Sequence, residues 1–452
     1  MTKRLKNLWG RFLFHDKGIL PTKRLLLLYS IFSIILVIAT FTELSWGFVV
    51  IANGAIILFS LLDLFMSPRK SEVMIERNMP EEMERSISYD IHITIINNSS
   101  LSFMYEIIDG IPQSFRSSFP LRGNIKSNSS TMVTYETFAL VRGLYQIEKL
   151  YLRYSSVLGL WQKHKTIEVE QSVKVIPDLT ETRQYLESAQ QYLLYEGNII
   201  RKQRSGVGEF SKIRNYVVGD DPRKINWRQT AKLQEVMTNE YEPEHGKYIT
   251  VLLDCGRMMG AELKKGNRLE KSLEAGLTVI AAALQKGDYV SVIAFSKNVK
   301  VYVPPAKGMA HLQLILQSIY DIQVDPFESN YGAVLNYVQA TQKKRSLVLL
   351  FSDVRTFLHE ESALLYLKRL RQRHLFLMIG VDDEVVTKRV QEEPTTVQKA
   401  MIKTIAQQEM MFKKREKAKW EKQGLQMVEA REDKLAITAV SYYIDIMNRG
   451  LL

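Results

Sequence analysis

Residues that form covalent cross-links or metal clusters are scarce in this chain of 452 residues. A single cysteine, Cys255, excludes an internal disulfide and agrees with a reducing compartment. The seven histidines are too scattered along the sequence to predict a metal cluster. The chain also lacks GxxxxGK(S/T), HExxH and GxSxG motifs, which argues against a phosphate-binding loop, a zinc-protease site and a serine-hydrolase elbow. We therefore expect a protein that is not an enzyme and does not hydrolyse ATP itself.

Long apolar runs are confined to two segments near the amino end. Residues 25–41 and 46–65 each approach the ~20 residues that a helix needs to cross a bilayer. The connection between them is too short to form a domain. The two runs therefore predict a transmembrane hairpin over residues 25–66. A secretory signal peptide carries a single, usually shorter, apolar segment, so we do not expect cleavage.

The charge distribution predicts on which side of the membrane the chain lies, because basic residues near a span are retained in the cytoplasm. The tail over residues 1–24 contains seven of them: Lys3, Arg4, Lys6, Arg11, Lys17, Lys23 and Arg24. Arg69 and Lys70 follow the second run. We expect a multi-pass cell-membrane protein with both termini and its bulk in the cytoplasm. The tail supplies about half of the formal charge of +12, so the charge requires no nucleic-acid partner.

Residues 71–177 have the pattern of short β-strands. In residues 89–96, apolar side chains alternate at Ile91, Ile93 and Ile95, and a cluster of turn residues follows. No amphipathic helix pattern interrupts the segment. Short strands at this spacing predict a small β-sandwich domain.

Residues 246–452 switch to strands that alternate with helices. Apolar strands such as 248–253 and 347–351 are separated by segments of helical period. This alternation predicts an α/β domain with a doubly wound, mainly parallel sheet covered on both faces. Asp254 and Asp353 each follow a strand, at the sheet edge where such folds bind ligands.

Residues 178–245 join the two patterns through a predicted helix and a segment dense in charge, glycine and aromatic residues. That segment resembles the signature of the bacterial domain of unknown function family 58, at Glu209, Phe210, Arg214, Tyr216, Gly219, Asp220, Asp221, Pro222, Ile225, Trp227 and Glu240. The resemblance implies two membrane helices, a β-rich segment and a von Willebrand factor A-like domain after the signature. It also implies a MoxR-type AAA+ ATPase as partner, in the assembly or activation of client proteins.

Domains of the von Willebrand type often hold Mg²⁺ through an Asp-x-Ser-x-Ser motif, a later threonine and a distal aspartate. Here Asp254, Ser329 and Asp353 stand at these positions, while Gly256 replaces the first motif serine and a methionine the second. Because Mg²⁺ prefers oxygen ligands and keeps several waters, the three residues could hold it only weakly. The alternative is an ion pair in which Arg257 neutralises the carboxylates. The site is thus predicted to be degenerate, with Mg²⁺ doubtful and no other cofactor expected.

The signature also has a physical interpretation. The run Gly219-Asp220-Asp221-Pro222 is typical of a tight turn. Arg214, Arg223 or Arg228 is expected to pair with one of its aspartates, with Trp227 buried beneath. One interpretation is an ion-paired hinge that locks the sandwich to the sheet, and the other is a docking face for a partner.

These patterns lead to one functional expectation with two alternatives. We expect a membrane-anchored, cytoplasm-facing protein-interaction module that acts as an adaptor for a MoxR-type ATPase. A structural cell-envelope scaffold without an ATPase is the first alternative, and a metal-dependent hydrolase using the two carboxylates is the second. A charged helix near residues 396–422 is expected to present a solvated face, although anionic headgroups or an acidic partner stay open.

Overall fold

The computed structural model describes residues 18–39, 41, 45–196, 209–242 and 246–452. Most of the predicted basic tail over residues 1–24 lies outside these ranges, as do residues 42–44 of the predicted hairpin connection. Contacts divide the chain into two compact units, unit 1 (Met1–Ile176) and unit 2 (Pro177–Leu452).

The first described elements of unit 1 are a short strand, β1 (Ile19–Pro21), and two apolar helices, α1 (Lys23–Ala39) and α2 (Trp46–Phe65). Among the described helices, only α2 is long and apolar enough to be a candidate membrane span. The other predicted span, residues 25–41, lies largely in α1, which has 17 residues and starts with two basic ones. One candidate span is therefore present, and the multi-pass prediction is not supported by length and composition.

The end of α2 is fixed to the strands of unit 1 by buried polar contacts. Asp63 accepts hydrogen bonds from the backbone N–H groups of Leu160 (2.9 Å) and Trp161 (3.1 Å) and from the hydroxyl of Ser156. The ammonium group of Lys163 donates to two backbone carbonyls just after the helix. A carboxylate at the end of an apolar helix thus has a full set of donors.

The other strands of unit 1 are β2 (Val73–Asn78), β3 (Glu82–Glu84), β4 (Tyr89–Asn97), β5 (Phe103–Asp109), β6 (Phe115–Arg116), β7 (Leu121–Ile125), β8 (Ser129–Ala139), β9 (Gly143–Ser155) and β10 (Trp161–Ile176). One sheet has the order β1-β10-β9-β5-β7, with β3 beside β10, and the other has the order β2-β4-β8-β6. Alternate residues of β4, including Ile91, Ile93 and Ile95, are fully buried. They share one apolar core with residues of β5 and β9, so the two sheets pack face to face.

An ion pair lies inside this core. Arg77 of β2 contacts Asp109 of β5 at 2.8 Å, and both side chains have no solvent exposure. Arg77 also donates to the carbonyls of Ile147 and Val169, and the hydroxyl of Tyr135 donates to Asp109 at 2.7 Å. Each charged group therefore has several hydrogen-bond partners that offset its removal from water.

Unit 2 starts with α3 (Thr180–Glu196), β11 (Glu209–Asn215), α4 (Trp227–Leu233) and β12 (Met237–Glu242). The strands after them are β13 (Tyr248–Asp254), β14 (Glu262–Leu263), β15 (Gly266–Asn267), β16 (Tyr289–Phe295), β17 (Val299–Ala306), β18 (Ser346–Phe351), β19 (Leu375–Val381) and β20 (Gln426–Ala430). The helices are α5 (Arg268–Gln285), α6 (Met309–Ile319), α7 (Tyr331–Thr341), α8 (Val354–Leu358), α9 (Glu361–Arg371), α10 (Glu384–Gln391), α11 (Val397–Lys422) and α12 (Leu435–Asn448).

The main sheet of unit 2 has the strand order β17-β16-β13-β18-β19-β20. Strand β13 runs parallel to β16 and β18, β19 runs parallel to β18 and β20, and β17 runs antiparallel to β16. Val251 and Leu253 pack in one apolar core with α5 and α12, while Leu252 packs on the opposite face with α7 and α9. Because helices cover both faces, the strands read as continuous apolar runs. The prediction of a mixed α/β chain is confirmed.

Candidate functional site

The carboxylate of Asp254, the last residue of β13, is surrounded by neutral hydrogen-bond donors. Its Oδ1 accepts from the backbone N–H of Gly256 (2.8 Å) and from the hydroxyl of Ser329. Its Oδ2 accepts from the hydroxyls of Tyr331 (3.1 Å) and Ser352. We call these five residues the Asp254 cluster. The hydroxyls of Tyr331 and Ser352 also lie 2.9 Å apart, so the cluster forms a closed network.

Burial controls the ionisation of Asp254. The residue is only 1% exposed, and desolvation raises the pKa of its carboxyl group above the ordinary value. The hydrogen bonds from Ser329, Ser352, Gly256 and Tyr331 act in the opposite direction, but their combined effect is smaller. The pKa of the Tyr331 hydroxyl is raised as well, first by burial and then by the charge of Asp254.

The approach of Ser329 depends on the glycine at position 256. A Cβ atom added to Gly256 would overlap the hydroxyl oxygen of Ser329. Backbone hydrogen bonds from Asp325 to Cys255 (2.7 Å) and from Arg257 to Phe327 (2.9 Å) hold the loop before α7 in this place. Ser329 therefore fills the space that a motif serine would need.

Asp353 belongs to a different set of contacts, although it stands at the end of the adjacent strand β18. Its Oδ1 contacts the guanidinium group of Arg268 at 2.5 Å. Its Oδ2 accepts from the backbone N–H (3.1 Å) and the hydroxyl (2.6 Å) of Thr356, so Asp353 is the N-cap of α8. The expected partner Arg257 instead pairs with Glu328 at 2.9 Å on the surface. Arg257 therefore neutralises neither carboxylate: Asp353 pairs with Arg268, and Asp254 has no arginine partner among the described residues.

The three predicted metal ligands do not present a free set of oxygens. Both oxygens of Asp254 accept two hydrogen bonds each, and the hydroxyl of Ser329 donates to one of them. Asp353 is neutralised by Arg268. Within the described ranges, no group of three or more His, Cys, Asp or Glu residues is arranged to hold a metal ion. As arranged, Asp254, Ser329 and Asp353 do not fit Mg²⁺, which requires a near-octahedral shell of oxygen ligands.

The signature segment forms a hairpin of β11 and β12 with α4 between them. Arg214 binds Asp220 through two hydrogen bonds of 2.8 Å each. Asp220 also accepts from the backbone N–H of Val217 at 3.0 Å, and Tyr216 donates to its carbonyl. The hydrogen bond with Asp220 is the main reason why the pKa of Arg214 is raised. One of the expected arginine–aspartate pairs is therefore present.

The other predicted signature residues do not take part in the contact between Arg214 and Asp220. Asp221 accepts a hydrogen bond from the backbone N–H of Arg223 at 3.0 Å and thereby caps a short 3-10 turn. Neither Arg223 nor Arg228 forms an ion pair with another residue in the part of the chain that the structure describes. Strand β11 begins at Glu209, whose backbone the structure describes but whose side chain it does not.

Trp227 is exposed, so its predicted burial is wrong. Its side chain is 70% exposed at the start of α4, where Asn226 caps the helix. Four further apolar residues of the hairpin are exposed, and we call the set the apolar tip: Val217 (60%), Val218 (97%), Trp227 (70%), Leu233 (53%) and Val236 (45%). Backbone hydrogen bonds from Tyr216 to Val236 and from Asn226 to Met237 hold the three parts of the tip together.

Three members of these sites escaped the sequence reasoning. Tyr331 and Ser352 complete the Asp254 cluster, and Arg268 neutralises Asp353. Ser352 carried a signal, because it precedes Asp353 at a predicted strand end. Arg268 is 85 residues away from Asp353 in sequence, so no local pattern pointed to it.

Comparisons with known proteins relate part of this chain to proteins of unknown function. The uncharacterized protein YeaD of Bacillus subtilis (strain 168) is 22% identical over 191 residues, which cover 42% of this chain and 45% of that protein. The match thus spans less than half of the length of that relative. The solved structure of the conserved hypothetical protein BatB from Bacteroides thetaiotaomicron has a TM-score of 0.30 and 15% identity, over 45% of this chain and all of that one (100%).

A PapD-like domain of human CEP192 has a TM-score of 0.18 and 13% identity, over 24% of this chain and 89% of that one. At these TM-scores neither solved structure defines the fold. The family model described as "Protein of unknown function DUF58" matches residues 212–421. This range contains most of the signature hairpin, the Asp254 cluster and Asp353. Residues 212–421, a little under half of the chain, are thus similar to the DUF58 family.

Proposed function

We propose that this protein is a membrane-anchored adaptor that binds a partner protein through the apolar tip. The observation that carries the proposal is the exposure of Val218 and Trp227 on an ordered hairpin. Isolated apolar residues are common on protein surfaces, but several on one small element mark an interaction site. Tryptophan is also among the residues that contribute most to binding at interfaces.

The hairpin is rigid enough to present this surface. The bidentate contact between Arg214 and Asp220 closes the turn that carries Val217 and Val218. Asn226 caps α4 and bonds to Asn239 of β12 at 2.9 Å, which fixes the start of the helix and Trp227. A surface that is ordered before binding loses less conformational entropy when it binds.

The partner that the family resemblance implies is a MoxR-type AAA+ ATPase, and the further client is an unidentified protein. The chain lacks a phosphate-binding loop, so in this proposal the ATPase supplies the nucleotide chemistry. The adaptor contributes binding and location at the membrane.

We also propose that the chain is not an enzyme and that its main sheet is a von Willebrand factor A-like domain without a functional metal site. The strand order and the positions of Asp254 and Asp353 at adjacent strand ends support the assignment. A metal-dependent hydrolase would need these carboxylates free, whereas hydroxyls and Arg268 engage them. Mg²⁺ or Mn²⁺ should therefore leave the thermal unfolding temperature unchanged, and stabilisation abolished by Asp353→Ala would contradict this proposal.

For the membrane anchor, we propose a hairpin in which α1 crosses together with α2. The 17 residues of α1 span ~26 Å, slightly less than a bilayer core of ~30 Å. The hydroxyl of Ser33 donates to the side chain of Asn53 at 2.7 Å, a polar contact of the kind that holds membrane helices together. A fluorescent reporter fused behind Leu452 should fold in the cytoplasm, and a reporter active outside it would overturn this topology.

The partner proposal is tested with the full-length protein in lipid nanodiscs and a purified MoxR-type ATPase from the same organism. We expect association in the presence of ATP, and a loss of affinity of about 30-fold for the double variant Val218→Ser, Trp227→Ser. The matched control is Ile437→Ser, because Ile437 is 69% exposed on α12, away from the tip. Unchanged affinity of the double variant, or no association with either ATP or ADP, would overturn the proposal.

A further inference from the structure

A cavity opens at the edge of the main sheet, beside the carboxyl ends of β18 and β19. Its volume is about 240 Å³, which exceeds the ~150 Å³ of an engineered cavity that holds benzene. We call it the edge cavity, and α5, α10, α11 and β20 also contribute to its lining. Open α/β sheets bind ligands beyond the carboxyl ends of their strands, so the position itself is typical of a ligand site.

The carboxylates that line the edge cavity already have cationic partners. Asp353 and Asp383 contact Arg268. The other contacts are between Glu409 and Arg355 at 3.2 Å, between Glu429 and Lys413 at 2.5 Å, and between Asp382 and Lys413 at 3.8 Å. The acidic side chains therefore offer little unbalanced negative charge to a cationic ligand.

The lining balances in charge, with five basic and five acidic side chains, but two of the basic ones lack a close partner. Lys414 and Lys417 line the cavity from α11, and neither forms an ion pair or hydrogen bond with another described residue. The two lysines are three positions apart, so they lie on neighbouring parts of the same helix face. Together they provide two ammonium groups for an anion.

Arg268 adds a buried donor. The residue lines the cavity and is only 5% exposed. Its two terminal nitrogens bind Asp353 and Asp383, but its Nε has no hydrogen-bond partner among the described residues. A buried N–H without a partner is destabilising, so a shift of the Arg268 side chain that brings Nε to an acceptor atom in the cavity would stabilise the fold.

Apart from Thr387, the rest of the lining is apolar. Val381, Val386 and Met410 contribute side chains without charge, and methionine adapts its shape to different ligands. We propose that the edge cavity binds a small organic anion, with a carboxylate or phosphate group near Arg268, Lys414 and Lys417 and an apolar body against Val381, Val386 and Met410. This inference goes beyond the adaptor function and does not depend on the apolar tip.

Such a ligand would connect α11 to the sheet. Ala406 and Trp420 are the buried residues of this 26-residue helix, so few apolar contacts hold it. A ligand between its lysines and Arg268 adds contacts at the middle of the helix. Binding should therefore protect the backbone amides of residues 409–417 from hydrogen exchange.

The test uses three probes with the same ring and different charge: benzoate, benzyl alcohol and benzamidine. The full-length protein is labelled with ¹³C at its methionine methyl groups, and Met410→Leu assigns the signal of the cavity. We expect benzoate to shift the Met410 signal saturably, with a Kd about tenfold lower than those of the other two probes. The signal of Met411, which is 75% exposed, serves as the internal reference.

Two variants separate charge recognition from apolar filling. The double variant Lys414→Gln, Lys417→Gln should raise the Kd for benzoate about tenfold, whereas Lys422→Gln, outside the cavity lining, should leave it unchanged. Equal affinity for all three probes would overturn the proposal of an anion site and leave an apolar cavity only. No saturable shift of Met410, or an unchanged Kd in the double lysine variant, would overturn it as well. None of these outcomes bears on binding at the apolar tip.

Discussion

Two aspartates lie in the interiors of the two units, and they are stabilised in different ways. Asp109 in unit 1 is 3% exposed and contacts the guanidinium group of Arg77 at 2.8 Å. Asp254 in unit 2 is 1% exposed and has hydroxyl and amide donors, with no cationic partner among the described residues. In unit 1 an opposite charge offsets the cost of burial, whereas in unit 2 only neutral donors surround the carboxylate, and burial raises the pKa of Asp254.

The comparison shows that a buried acid alone does not identify a reactive site. Asp109 belongs to a structural ion pair between two strands. Asp254 stands at the carboxyl end of β13, and each of its oxygens accepts a hydrogen bond from a serine hydroxyl. The partner groups, more than the burial, determine what each carboxylate can do.

The largest expected effect concerns the ion pair of unit 1. Arg77→Met leaves Asp109 buried without a cation, so the free energy of unfolding of unit 1 should fall by about 3–5 kcal/mol. Hydrogen exchange of the amides in β5 and β9 measures the loss. The matched control is Arg122→Met, because Arg122 pairs with Glu106 on the surface and is 73% exposed. If both variants lose the same stability, the buried pair has no special role.

The next effect concerns the Asp254 cluster of unit 2. Asp254→Ala leaves the donors of Ser329, Ser352 and Gly256 without their acceptor and should cost about 2–4 kcal/mol. Asp254→Asn should cost less than about 1.5 kcal/mol, since hydroxyl groups rotate to accept as well as donate. Hydrogen exchange of the amides in β13 and β18 compares the two variants. Equal losses of stability in the two variants would mean that the Asp254 cluster does not depend on hydrogen bonds to residue 254.

A smaller effect is expected from restoring the first motif serine. Gly256→Ser places a Cβ atom against the hydroxyl of Ser329 and should destabilise unit 2 by about 1–3 kcal/mol. Adding Ser329→Gly removes the overlap, so the double variant should recover part of this loss. Thermal unfolding of the two single variants and the double variant measures the coupling energy between positions 256 and 329. Additive losses in the double variant would contradict the assignment of the shared space.

The smallest effect is the pH dependence that Asp254 contributes. Its folded-state pKa lies above the unfolded value, so the folded state binds more protons between the two, and stability falls as pH rises through this window. The free energy of unfolding of the wild type should therefore fall relative to that of Asp254→Asn as pH rises from about 4, by at most ~1.4 kcal/mol per pH unit. Urea unfolding at a series of pH values measures it. A constant difference would contradict a raised pKa.

Much of the secondary structure followed from local patterns, but α8 and α10 did not. Strands such as β13 and β18 were predicted because both faces of the sheet are covered, which makes the strands continuously apolar. The five residues of α8 are too few for a helical period to be visible. Helix α10 carries mostly polar side chains and none that is buried, so its pattern resembled a loop.

The site was predicted less completely than the fold. The sequence predicted one site from Asp254, Ser329 and Asp353. In the structure Ser329 donates a hydrogen bond to Asp254, whereas Asp353 forms an ion pair with Arg268. Trp227 was expected in the interior because large aromatic residues are usually buried, but it lies on the short hairpin where little core is available to cover it.

The sequence by itself determined the apolar helix near the amino end, the change from β-strands to an α/β sheet, and the lack of catalytic motifs, because these depend on the composition and period of neighbouring residues. Only the tertiary structure decided that Arg268 neutralises Asp353, that Ser329 fills the space above Gly256 and that the edge cavity exists. Those features join side chains that are tens of residues apart, and their contacts depend on how helices and strands pack, which no local pattern encodes.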